Sequence, residues 1–119
     1  MLWRVEAYEH PALQGAVDVQ AELLRLENDA DPNVAVGAAR LMGWLRAVHN
    51  GNGTPECEPD TPRVEGCTLK YRCNKGALVI FSIHHPPRLV VLKFSRAASS
   101  YPTVADCSDA VARWKTWSP

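Results

Sequence analysis

The chain lacks any apolar run long enough to cross a membrane, and its opening Met1-Leu2-Trp3-Arg4-Val5-Glu6 has no leader-like hydrophobic core. A cytoplasmic protein without membrane anchorage is therefore expected. It also lacks net charge, since 13 Lys and Arg balance 13 Asp and Glu. No P-loop, nucleophile elbow, HExxH pair or Rossmann glycine pattern occurs. Those absences argue against nucleotide-dependent, triad-based and zinc-protease chemistry. The cysteines Cys57, Cys67, Cys73 and Cys107 form no C-x-x-C spacing, so no zinc ribbon or dithiol redox motif is present. Their even number permits two disulfides. Nothing points to an oxidising compartment, and reduced thiols are the expectation. Internal repeats and low-complexity segments are missing too. No metal and no cofactor is expected.

What is present is enough for one domain. The 119 residues are 46% hydrophobic, sufficient for a core without staples. The balanced charge hides a division. Residues 1–62 hold four Lys and Arg against ten Asp and Glu; residues 63–119 hold nine against three, so the halves carry −6 and +6. Such a split predicts one acidic and one basic surface, against the plainer alternative of charges scattered over a solvated exterior.

Taken in order, Leu2 to Tyr8 alternates as a strand, ended by His10-Pro11. Pro11 to Asn28 reads as a helix with the stripe Leu13, Ala16, Val17, Ala21 and Leu24, widened by Val19, Leu23 and Leu26. Asp31 caps and Pro32 opens a second helix, whose stripe is Val34, Ala38, Leu41, Leu45 and Val48. Ala35, Gly37, Ala38 and Ala39 predict close approach of the two helices. Asn50-Gly51-Asn52-Gly53 ends the hairpin. Gly51 to Pro62 is a polar loop, either functional or plain slack. Ala97 to Pro102 is a polar connector, and Thr103 caps a last helix with Val104, Cys107, Val111 and Trp114 on one stripe.

Between these lies Cys67 to Tyr101, three runs cut by Asn74-Lys75-Gly76 and His85-Pro86-Pro87, the pattern of an antiparallel meander. Leu69, Tyr71 and Cys73 share one face of the first run; Thr68, Lys70 and Arg72 share the other. Ala77 to Ile83 is apolar on both faces and reads as a central strand. In the third run Leu92 and Phe94 face the core while Lys93 and Ser95 alternate with them. The fold class is α+β, a single domain of order β-α-α-β-β-β-α, with an antiparallel sheet packed against a helical hairpin.

The meander also carries the candidate chemistry. Lys70 and Arg72 on one face, with Arg96 at a nearby strand end, are placed to converge on one phosphate. One preorganised donor of that kind stabilises a developing oxyanion by about 2.7–4 kcal/mol. The plainer reading is a solvated sheet face kept soluble by its cations. Tyr101 either stacks on a base or packs as a lid on the sheet. His84 and His85 point to opposite sides of a strand end and read as a turn.

The order of elements, together with TLKYRCNKGALVIF and RLVVLKFSRAASSYPTVADCSDAVARW, resembles the RelE/ParE toxin superfamily, in particular its HigB and phage Gp49-like branch. The resemblance covers nearly the whole chain. It implies a toxin of a type II toxin-antitoxin system, a metal-independent endoribonuclease that cleaves messenger RNA at the ribosome. On the matching positions Lys70 and Arg72 are the basic strand, Arg96 the cation ending the last strand, and Tyr101 the stacking or acid-assisting aromatic. Lys75, Lys93, Arg63 and Arg88 are further cations expected to contact RNA. The implied partners are a cognate antitoxin, messenger RNA and the ribosome. The family's arginine after the first meander turn has no counterpart, since Ala77 stands near that place and Lys75 is the nearest cation. The same resemblance covers ParE-like relatives that inhibit a protein target such as DNA gyrase. A phage accessory module that binds nucleic acid or protein is a further alternative.

Overall fold

Why the sheet sits where it does follows from Ala77 to His84, a strand buried on both faces. Leu78, Val79, Ile80, Phe81 and Ser82 are all fully buried. Such a strand needs a layer on each side, and the computed structural model supplies both. It describes residues 3–8, 19–51, 60–64, 67–84, 88–97 and 101–116, without the side chains of 60–68 and 84. The elements are β1 (Arg4–Ala7), α1 (Val19–Glu27), α2 (Pro32–His49), β2 (Asp60–Val64), β3 (Cys67–Asn74), β4 (Ala77–His84), β5 (Arg88–Arg96) and α3 (Val104–Thr116). They form one α+β domain.

The expected order is present, with one addition. Asp60–Val64, straddling the end of the segment read as loop, forms β2 and pairs antiparallel with β3. The sheet order is β1-β5-β4-β3-β2. The meander is antiparallel as expected, but β1 lies parallel to β5, matching Arg4 to Arg88 and Ala7 to Val91, so the whole sheet is mixed. A parallel neighbour needs a crossover, and the helical hairpin between β1 and the meander provides it.

Direct cross-strand partners share a face, which fixes what each layer covers. Lys70, Arg72, Val79, Phe81, Val91 and Phe94 fall on the hairpin side, as the Trp44–Phe81 ring contact at 5.4 Å confirms. Leu78, Ile80, Tyr71, Lys93 and Ser95 fall on the other side, which α3 covers, with Ser95 Oγ donating to Asp106 at 2.9 Å. Leu92 is an extra residue opposite the Ile80–Phe81 step, a bulge that re-phases β5. The bulge and the second layer change the expected one-sided pattern. Lys93 and Ser95 enter a polar contact with α3 and do not face solvent.

The second helix has the predicted stripe. Val34, Ala38, Leu41, Leu45 and Val48 are buried, and the Asp31 carboxylate accepts from Asn33 N–H. Its small residues serve another neighbour than expected. A Cβ on Gly37 would lie 2.0 Å from the Asn74 carbonyl oxygen, and one on Gly76 2.7 Å from Val34 Cγ2. Helix α2 is therefore seated directly on the β3–β4 turn. Lys75, not Gly76, carries the positive φ of 52° in that turn, and Gly76 is required there for space.

The stripe of α1 is corrected, and that of α3 loses only its first member. In α1 the buried residues are Val19, Glu22 and Leu26, and Leu24 is exposed. The hairpin packing selects the flanking set because α1 also delivers a carboxylate to the sheet edge. The positions expected at 9–18 lie outside the described residues. In α3, Thr103 Oγ1 accepts from Asp106 N–H and Asp106 Oδ2 from Thr103 N–H, a reciprocal cap. That cap turns Val104 outward, while Cys107, Val111 and Trp114 of the expected stripe pack on the core with Ala110 and Asp106 beside them.

Candidate functional site

The charge division has a structural use. Cations from the C-terminal half pair with acids from the N-terminal half across element boundaries. Arg88 donates from Nε and Nη2 to both oxygens of Glu6, at 2.9 and 3.0 Å. Arg96 Nε lies 3.0 Å from Asp29 in the α1–α2 connection. Arg113 grips Glu22 at 2.7 and 2.8 Å. Lys93 Nζ pairs with Asp109 and lies within 4.0 Å of Asp106 and Glu22. Pairing between the halves therefore takes up part of the charge expected to separate into an acidic and a basic surface.

Glu22 and Arg113 form a largely buried pair with direct hydrogen bonds. Strand β1 covers β5 only to Val91, where Tyr8 N–H donates to the Val91 carbonyl at 2.9 Å. Beyond it the Glu22 carboxylate accepts from Phe94 N–H, and Arg113 donates to the Leu92 carbonyl at 2.8 Å. A carboxylate from α1 and a guanidinium from α3 thus complete the edge where the strand has run out, meeting the need of buried backbone groups for partners. Burial pulls the Arg113 guanidinium down, but the hydrogen bond and charge of Glu22, then Asp109 and Tyr8, outweigh it and hold it above its ordinary value. Burial, reinforced by Asp106, pushes the Cys107 thiol up. Neither Cys73 nor Cys107 is in a disulfide. Cys57 lies outside the described residues, as does the side chain of Cys67.

This pairing decides where the expected site residues stand. Lys70 and Arg72 share the hairpin face of β3, and the Arg72 guanidinium sits 4.7 Å from the centre of the Trp44 ring on α2. Trp44 is the residue the sequence reading placed merely near a core stripe. Its useful signal was position: it lies three and four residues from the buried Leu41 and Val48, on the helix flank toward β3. Arg40, one turn earlier, is exposed. Lys75 is exposed at the adjoining turn. Together they make a basic flank along β3 and α2.

The remaining members stand elsewhere. Arg96 is paired in register with Ala77, two strands from β3, and its guanidinium turns to Asp29. Two strand spacings of about 4.8 Å and a two-residue offset of about 7 Å place its backbone roughly 12 Å from that of Arg72. Helix α2, seated over β4, lies between them. Tyr101 contacts Tyr71 at 6.0 Å, and Tyr71 alternates with Lys70 and Arg72, so Tyr101 stands on the opposite face of the sheet. It is 63% exposed while its ring rests against Tyr71 of the sheet, the placement of a partial lid. Lys70, Arg72, Arg96 and Tyr101 do not meet at one phosphate. Lys93 and Arg88 are held by carboxylates, and Arg63 is placed on β2 opposite Thr68 by its backbone alone. His84 ends β4; His85 lies outside the described residues.

Among the described residues no helix is long and apolar enough to cross a membrane, and no three His, Cys, Asp or Glu side chains gather as a metal site. Compared with protein-family models, curated proteins and solved structures, the chain matches none.

Proposed function

We propose that this chain is a RelE/ParE-like growth inhibitor that acts by binding a protein target, and that its basic β3–α2 flank is the binding surface. The observation carrying the choice of binding over cleavage is the division of the four candidate catalytic side chains. Phosphodiester cleavage through a 2′-hydroxyl requires groups within about 3 Å of the reacting atoms. Arg72 over Trp44, by contrast, presents a cation held in one orientation beside Lys70, a suitable anchor for an acidic surface. The α+β order supports the family, and the family sets the rest of the proposal: action in the cytoplasm and neutralisation by an antitoxin whose acidic segment covers the same flank. Fold alone does not choose between cleaving and binding members.

The test is expression without a partner protein. Growth arrest is expected with translated messages intact. Arg72→Ala with Lys70→Ala relieves the arrest, whereas Arg96→Ala with Tyr101→Ala leaves it. Ribosome-dependent message cleavage that Lys70→Ala abolishes would establish the endoribonuclease reading instead. Normal growth would remove both.

A further inference from the structure

We propose that the open cavity lined by β1, β5, α1 and the last turns of α2 binds a small monocarboxylate with an apolar tail. The cavity measures about 280 Å³. Its wall is built by Val5, Val91 and Phe94 from the sheet, Leu23 from α1, and Met42 and Leu45 from α2. Val5, Leu23 and Met42 are only partly buried in the folded chain, so apolar surface is left for an occupant. The volume lies at the low end of small-ligand pockets, about 300–1,000 Å³. It suits a medium-chain acid better than a nucleotide.

The polar groups at the mouth choose the head group. Glu6 lines it, but Arg88 binds both its oxygens and Arg4 Nε stands 3.6 Å away. Arg46 and His49, one helical turn apart on α2, line it as well. Arg46 has no carboxylate partner among the described residues, and α2 carries no acidic residue. His49 Nδ1 accepts from Val5 N–H at 3.4 Å, which leaves Nε2–H of the neutral ring as a donor. Uncompensated donors above an apolar wall select an anionic head on an apolar tail. The cavity lies by the β1 edge, away from the β3–α2 flank, so this inference is independent of the proposed growth inhibition.

The probes are octanoate and 1-octanol, titrated into the full chain and followed by amide chemical shifts and calorimetry. Saturable octanoate binding is expected, with shifts at residues lining the cavity. Arg46→Gln, at an exposed position that leaves the fold intact, weakens octanoate at least tenfold and leaves octanol unchanged. Met42→Trp fills the space and abolishes both. Absence of saturable octanoate binding overturns the proposal. So does unaltered octanoate affinity in Arg46→Gln, which stands whether or not Met42→Trp folds.

Discussion

Ser82 is fully buried in the middle of β4, and its Oγ is the one buried side-chain polar atom among the described residues with no hydrogen-bond partner. A hydroxyl desolvated without a partner costs about 1–3 kcal/mol. Ser82→Ala should therefore raise stability by about 1 kcal/mol, read as a higher urea midpoint with an unchanged slope. Arg113 is the converse case. Its guanidinium satisfies Glu22 and the Leu92 carbonyl together, and the side chains of the ion pair are 16% and 6% exposed. Arg113→Met leaves a buried carboxylate and an unpaired carbonyl. The expected loss is about 3–5 kcal/mol, measured by the same unfolding curve. Neither residue announced its role in the sequence. Ser82 looked like one polar position in an apolar run, and Glu22 and Arg113 are separated by 91 positions.

At the scale of elements, the decisive contact is α2 against the β3–β4 turn. Gly37 has the Asn74 carbonyl where a Cβ would stand, and backbone cannot step aside as a flexible side chain can. Gly37→Ala should destabilise by about 1–3 kcal/mol through overpacking. Gly43→Ala is the internal control. It lies on the same helix, meets nothing within 4 Å, and should stabilise by up to about 1 kcal/mol through helix propensity alone. Thermal unfolding of the two variants should move in opposite directions. The existence of α2 and its buried stripe were legible because cap, period and terminator agree along eighteen residues. Helix α3 was legible in phase from Cys107 onward, with only Val104 turned out at the Thr103–Asp106 cap. Helix α1 was legible as a helix but not in phase, since it has apolar residues for two adjoining stripes and Glu22 reaching the β5 edge made the choice.

For the whole molecule, the −6 and +6 halves turn out to be complementary within one chain. Arg88–Glu6, Arg96–Asp29 and Arg113–Glu22 tie β5 and α3 to the N-terminal elements, and Lys93 ties β5 to Asp109 on α3. The consequence for function is selective. The cations along β3 and α2 form the proposed target surface, and those of β5 pair with carboxylates within the fold.

The sequence by itself determined the α+β class, the meander and its central strand, and the second helix. Each rests on periodicity and turn chemistry, which act over a few residues. Only the tertiary structure decided that β1 joins parallel, that β2 extends the sheet, and that both faces are covered. It alone separated Lys70 and Arg72 from Arg96 and Tyr101. Alternation along a strand tells which residues share a face. Which layer covers that face, and which distant charge answers each cation, depends on contacts between segments far apart in the chain.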